Sequence, residues 1–166
     1  HVSCYALTVE PKTVLKKLIK NGKIAPVSET NSHRQYLILL DKMKKEGYVN
    51  YEFSNFGKQG YFSENNTAYW QGKPYLGIGP SAHGFDGENR YWNVSNNAAY
   101  MKRIAADKLP QTVEKLTVID KFNEAIMIGL RASWGVSLLA LEVELGKRYR
   151  DHLEQQAARF VTRGLL

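Results

Sequence analysis

Short apolar–polar alternations and one long helical period organise the first third of the chain. Residues 2–8 are mostly small, β-branched or aromatic, which predicts a strand. Residues 32–46 repeat apolar side chains at helical spacing, and Gly47 follows where helices commonly end. Residues 49–54 alternate again, which predicts a half-buried strand. Strand, helix and strand in this order are typical of a βα unit in a mostly parallel sheet.

The middle of the chain alternates between loop signals and short periodic segments. Residues 55–68 are rich in Gly and Asn and predict a long loop. Residues 75–79 predict a short strand, and residues 86–89 a turn that leads into a strand over 90–94. Residues 96–107 predict a helix that begins at one of two asparagines.

From Thr117 onward the pattern is helical only, with Thr117 and Ser137 as N-cap residues. We therefore expect a domain boundary near residues 108–116, with domains over 1–110 and 111–166. This segment resembles the start of a helix-turn-helix, although a small helical bundle explains the same periodicity and is favoured. The predicted apolar face of the first helix consists of Ile119, Phe122, Ile126 and Leu130.

Composition excludes several classes of protein. The chain has 166 residues, 43% of them hydrophobic, and no apolar run long enough to span a membrane. Cys4 is the only cysteine, which excludes an internal disulfide and a cluster held by several cysteines of this chain. A reduced, cytoplasmic compartment fits best. The net charge of +7 is compatible with nucleic-acid binding, but a solvated basic surface explains it better. The chain opens with His1 rather than Met, and we expect it to be a piece of a longer protein.

Residues 77–84 form the most informative stretch, because three glycines and two small residues allow close approach of the backbone. Gly77 and Gly79 suit either a ligand or a neighbouring strand, and spacing alone does not separate the two. His83 has no cluster of metal-ligating partners and is more often structural in such a setting. At the next candidate site, Glu52 and Asn55 follow one strand, where they either bind a polar ligand or face solvent.

Four ordered blocks, within residues 1–13, 47–56, 75–85 and 116–131, resemble the oxygen-independent coproporphyrinogen III oxidase-like radical SAM family. Within it the chain is closer to the HemW-type heme chaperone branch. The resemblance implies an α/β fold: the C-terminal part of a partly open (β/α)6 barrel, followed by a small helical domain. It also implies S-adenosylmethionine and a 4Fe–4S cluster in the intact protein. The CxxxCxxC ligand motif of that cluster is absent from this chain.

The resemblance implies site residues as well. The positions of Thr8 and His83 lie beside S-adenosylmethionine in the family, and Glu10, Gly77 and Gly79 are their neighbours in sequence. The chaperone branch carries an H-N-x-x-Y-W motif associated with heme, and this chain has Asn65 at the histidine position. An amide is a poor iron ligand, whereas Tyr69 and Trp70 can still pack against a porphyrin. Glu52 and Asn55 are expected near the same substrate.

The resemblance implies oxidative decarboxylation of porphyrinogen propionates in heme biosynthesis, with this fragment inactive alone. One alternative is a heme-binding chaperone without oxidase activity, and another is a basic helical module that binds nucleic acid. Porphyrinogen or heme is thus the expected partner, and no membrane span is expected. An exposed strand edge at residues 2–8 also predicts that the fragment self-associates.

Overall fold

A computed structural model describes residues 1–166, and they divide into two compact units, His1–Ser63 and Glu64–Leu166. The expected mixed α/β class is confirmed by seven helices and two three-stranded sheets. None of the helices has the length and apolar character needed to cross a membrane. The boundary predicted at residues 110 and 111 stays a prediction.

The first unit contains a small antiparallel sheet flanked by helices in the sequence. Its strands are β1 (Val2–Ser3), β2 (Val49–Glu52) and β3 (Asn55–Gly57), in the order β1-β3-β2. Its helices are α1 (Val14–Lys20) and α2 (Glu29–Lys45). Both strand pairings are antiparallel, so the predicted parallel βα unit is wrong for this part of the chain.

Two local turns explain why these predictions fail. Only residues 2 and 3 of the predicted first strand pair with β3. A register shift between Asn50 and Glu52 breaks the alternation, so that Phe53 is exposed while Glu52 is buried. The chain then turns back at once into β3, within the segment predicted as a loop. Tyr51 and Phe56 fill the core of this unit, and Phe62 stacks on Tyr51 at 4.5 Å between ring centroids.

The second unit combines a second antiparallel sheet with five helices. The strands β4 (His83–Phe85), β5 (Asn89–Asn93) and β6 (Gln111–Lys115) are in the order β4-β5-β6. The helices are α3 (Glu64–Trp70), α4 (Asn97–Ala105), α5 (Val118–Gly129), α6 (Leu138–Leu145) and α7 (Lys147–Thr162). Strand β6 lies where the sequence predicted only a boundary, and α3 lies in the predicted loop.

Hydrogen bonds at the predicted caps confirm three helix starts. Asn96, Thr117 and Ser137 each accept a backbone N–H from the first turn of their helices. Between β4 and β5, Asp86 accepts the backbone N–H groups of Glu88 and Asn89, which confirms the predicted turn. These short local signals are reliable because they depend on neighbouring residues alone.

The last three helices enclose a small apolar core that uses only part of the face predicted for α5. Phe122 and Leu141 are buried, and the Phe122 ring lies 5.1 Å from that of Tyr149. Ile119 and Leu130 are exposed, so that part of the predicted face is wrong. Gly129 lies at the closely packed end of α5, where a Cβ would press on the backbone of Gly135 at 2.9 Å. Close packing at Gly129, rather than Leu130, therefore ends the buried face.

The capping box of α5 gives a direct test of this unit. Thr117 accepts the backbone N–H of Asp120. The Asp120 carboxylate accepts the hydroxyl and the backbone N–H of Thr117, and these two hydrogen bonds lower the pKa of Asp120. Thr117→Ala removes the cap and should lower the free energy of unfolding by about 1 kcal/mol. Thr117→Ser keeps the hydroxyl and should change it far less. Urea unfolding of both variants measures the difference, and equal losses would contradict the capping role.

Candidate functional site

The second unit contains a cleft of about 670 Å³. The end of α3, the near edge of the sheet, α5 and α6 surround it. Its aromatic lining comes from Tyr69, Trp70, Tyr75, Phe85 and Trp134. Lys73, Arg90, Lys121, Glu124 and Glu144 are its charged residues. Aromatic walls with a few charged groups, at this volume, suit a flat organic ligand that carries anionic substituents.

One row of paired residues sets the floor of the cleft. Tyr75 forms an isolated bridge to Phe85, with backbone N···O distances of 2.8 and 2.9 Å. Phe85 pairs with Arg90 across β4 and β5, and Arg90 pairs with Glu114 across β5 and β6. Directly paired residues of antiparallel strands project to the same face of a sheet. Tyr75, Phe85 and Arg90 accordingly line the same cleft.

Arg90 is the best-anchored charge in the cleft. Its guanidinium donates to Glu124 at 2.5 Å and lies 3.8 Å from Glu114. The hydrogen bond to Glu124 raises the pKa of Arg90, and the negative charges of Glu124 and Glu114 act in the same direction. Lys73 and Lys121 make no ion pair in the structure. Two unpaired ammonium groups therefore remain available in the cleft for an anionic ligand.

The glycine-rich stretch is built around close backbone contact. A Cβ on Gly77 would overlap the backbone carbonyl of His83, whereas Gly79 has φ +98° and open space where its Cβ would be. The buried Asn93 amide donates to the carbonyls of Gly77 and Gly79 at 3.1 and 2.9 Å. Tyr100 accepts the backbone N–H of Gly79 at 3.1 Å. At Gly77 the structure thus shows the packing role that spacing alone had left open.

The residues expected beside S-adenosylmethionine do not form one pocket within either unit. Thr8 and Glu10 are exposed in an irregular segment of the first unit. His83 is exposed on β4 of the second unit, with its ring 6.1 Å from that of Trp92. None of the five residues, Gly77 and Gly79 included, lines the 670 Å³ cleft. Their role toward S-adenosylmethionine therefore stays a prediction.

Glu52 and Asn55 lie in a buried polar cluster of the first unit. Both are at most 5% exposed, and the Asn55 amide donates to the Glu52 carboxylate. Glu52 also accepts the backbone N–H of Ser54 at 3.3 Å, and Ser3 donates to Asn55. The interpretation of Glu52 as part of a solvent-facing strand edge is therefore wrong, because the bulge in β2 turns it inward.

Asn65, Tyr69 and Trp70 all belong to α3, and the two aromatic residues line the cleft. Asn65 is exposed and lies one helical turn before Tyr69. The Tyr69 ring meets that of Tyr75 edge to face at 4.6 Å. The structure therefore brings Tyr69 and Trp70 together, as their proposed role against a porphyrin requires.

The residues of this chain do not fit an iron–sulfur cluster. Cys4 is its single thiol, and no group of three metal-ligating His, Cys, Asp or Glu side chains occurs. A cluster of this kind needs several thiolate ligands.

Sequence reasoning missed the cleft residues contributed by the sheet and α5. Arg90, Glu124 and Trp134 are far apart along the chain, and strand pairing together with helix packing brings them to one cleft. The only available signal was the turn at 86–89, which places residues 85 and 90 opposite each other.

Known proteins resemble this chain in sequence and in fold. Residues 116–166 match the family model of the HemN C-terminal domain. The heme chaperone HemW of Bacillus subtilis is 36% identical over 138 residues, which are 82% of this chain and 36% of that protein. The heme chaperone HemW of Mycobacterium tuberculosis is 34% identical over 156 residues, 93% of this chain and 39% of that protein. The chain thus spans well under half the length of these relatives.

A solved structure, described as coproporphyrinogen III oxidase (HemN) from Escherichia coli, a radical SAM enzyme, matches 84% of this chain and 36% of its own. The TM-score is 0.62 at 16% sequence identity, so the match concerns the fold. It confirms the expectation that the chain has the fold of the C-terminal part of such a protein.

The close contact at Gly77 predicts an asymmetry between two glycines. Gly77→Ala should destabilise the second unit by up to about 3 kcal/mol, because the methyl group must displace the backbone of β4. Gly79→Ala meets no neighbour and should cost only the roughly 1–2 kcal/mol of its left-handed backbone. Amide hydrogen exchange at Phe85, whose N–H bonds to Tyr75, should speed up more in Gly77→Ala than in Gly79→Ala. Equal acceleration in both variants would contradict this account.

The single thiol predicts the outcome of cluster reconstitution. After anaerobic incubation with iron and sulfide, the chain should retain no stoichiometric 4Fe–4S cluster, because Cys4 offers one ligand where several are required. Iron and sulfide analysis with absorbance spectroscopy checks this on the monomer. Stoichiometric cluster on monomeric chain would contradict the ligand assignment.

Proposed function

Because the chain belongs to the radical SAM family that contains the HemN and HemW proteins, we propose that its second unit supplies the heme-binding cleft of a heme chaperone. The observation that carries the proposal is the meeting of Tyr69, Trp70 and Trp134 in one cleft. Two relatives above 30% identity bear the name heme chaperone. Heme is the cargo in this proposal.

The chemistry of the cleft supports a tetrapyrrole as ligand. A porphyrin presents two broad apolar faces, and indole and phenol rings are the protein groups best suited to cover them. Its carboxylates need cationic partners at the rim, where Lys73 and Lys121 have no acidic partner of their own. The Arg90 charge is already balanced by Glu124 and contributes less to a ligand carboxylate.

Oxidative decarboxylation of a porphyrinogen is the second candidate, supported by the fold shared with a protein described as an oxidase. The cluster and S-adenosylmethionine would supply that chemistry in an intact protein. In this candidate the chain's own contribution is to bind and orient the propionate groups. Thr8, Glu10, His83 and Gly79 are the proposed neighbours of S-adenosylmethionine. Turnover of coproporphyrinogen by the intact protein separates oxidase from chaperone.

A third candidate is nucleic-acid binding, which the net charge of +7 alone favours. Steep salt dependence of DNA affinity would support it. The relatives reported above are named for heme and for radical SAM proteins, which favours the tetrapyrrole. A reducing compartment such as the bacterial cytoplasm is part of the same proposal, since the single thiol needs no oxidation.

The proposed site predicts that the side chain of Trp70 contributes to the affinity for a porphyrin. Trp70→Ala should weaken binding of metal-free protoporphyrin IX to the chain about tenfold or more, because an apolar face of the ligand loses its cover. Quenching of porphyrin fluorescence or a Soret-band titration measures the affinity, and sedimentation checks that the chain stays monomeric.

Tyr61→Ala is the matched control, since Tyr61 is 74% exposed in the other unit. It should leave the porphyrin affinity unchanged. A thermal unfolding curve on each variant confirms that the second unit is folded. Unchanged affinity in folded Trp70→Ala would overturn the assignment of the cleft.

A further inference from the structure

The side chains that line the cleft restrict how the iron of a heme can be held. Proteins bind heme iron through His, Cys, Met or Tyr side chains. No His, Cys or Met lines the cleft, whereas Tyr69 and Tyr75 do. The ammonium groups of Lys73 and Lys121 offer hydrogen-bond donors only. Two phenol groups are therefore the iron ligands that the cleft offers.

Tyr75 is the better placed of the two phenols. Its backbone is fixed by both hydrogen bonds to Phe85, so its side chain starts from a rigid position on the sheet. Tyr69 comes from the seven-residue helix α3 and is 45% exposed. Neither phenol oxygen makes a hydrogen bond to the protein, so both are available to a ligand. Rigid support favours Tyr75, because a metal ligand must keep its geometry.

We propose that the Tyr75 phenolate is the axial ligand of ferric heme in this cleft. This rests on the proposed heme-binding function. On ligation the phenol proton passes to solvent, the Tyr75 oxygen forms a bond to Fe³⁺, and any water bound there leaves. No electron is transferred. The exposed Asn65 amide takes no part.

The test compares ferric heme with metal-free protoporphyrin IX on the chain and on Tyr75→Phe. Phenylalanine keeps the ring and the backbone bridge, so the affinity for the metal-free porphyrin should not change. The affinity for ferric heme should fall about tenfold or more, because loss of the ligand itself should cost at least as much as loss of an outer-shell partner of a ligand. The resonance Raman bands of an iron–phenolate bond should be present in the unaltered chain and absent from Tyr75→Phe.

Tyr61→Phe is the matched control, because it removes an exposed phenol of the other unit. It should keep both the affinity for ferric heme and the iron–phenolate bands. If the bands persist in Tyr75→Phe and disappear from Tyr69→Phe, or if ferric heme on the unaltered chain shows none, Tyr75 is not the ligand.

The result with the metal-free porphyrin separates the two proposals. Failure of protoporphyrin IX to bind the unaltered chain would overturn the proposed function itself. Binding of the porphyrin together with an unchanged ferric affinity in Tyr75→Phe would overturn only the ligand assignment. Should Tyr75→Phe fail to fold, the Raman bands of the unaltered chain carrying ring-deuterated tyrosine still decide whether a phenolate binds the iron.

Discussion

The backbone pairing of residue 75 with residue 85 is the constraint on which the cleft depends. Two hydrogen bonds hold Tyr75 beside Phe85. Phe85 in turn pairs with Arg90, and Arg90 pairs with Glu114 on the next strand. This pairing is possible because Gly77, two residues further on, lets the chain lie directly against the His83 carbonyl. Any larger residue there would push the segment away from β4. The absence of a side chain at Gly77 thus allows the arrangement of Tyr75, Phe85 and Arg90 along the cleft.

The same segment is also held from its other side. The Asn93 amide spans the carbonyls of Gly77 and Gly79, and Tyr100 accepts the N–H of Gly79. These bonds satisfy backbone groups that would otherwise lack partners in an irregular segment. The first unit uses a comparable device, in which the buried Glu52 and Asn55 satisfy each other beside the turn of a hairpin. In both units, buried polar groups shape the turns, while a few aromatic residues supply the apolar core.

Local sequence signals predicted well wherever neighbouring residues decide the structure. The caps at Asn96, Thr117 and Ser137 and the turn at Asp86 depend on a side chain and the next few N–H groups. Prediction failed where pairing between residues far apart in the sequence determines the structure. Strand β6 has little apolar character and exists because β5 pairs with it, and α3 occupies a segment whose asparagines indicated a loop.

The residues of the candidate site show the same difference between signals in the sequence and contacts made only in the fold. Tyr69 and Trp70 were identified from the resemblance to the family, and they do line the cleft. Arg90, Glu124 and Trp134 had no such signal, because only the paired strands and the packed helices bring them to the same cleft. Glu52 was misplaced by one strand face, since a single bulge reverses the side to which a strand residue points.

Backbone amide NMR of the isotopically labelled chain during titration with protoporphyrin IX tests the central claim most directly. The account predicts saturable shifts confined to residues around the cleft: Tyr69 to Tyr75, Phe85, Arg90, and the facing parts of α5 and α6. Amides of the first unit, such as those of Tyr51 and Phe56, should stay unchanged. Shifts centred on α7 or on the first unit, with the cleft unaffected, would contradict the claim that this cleft binds a tetrapyrrole.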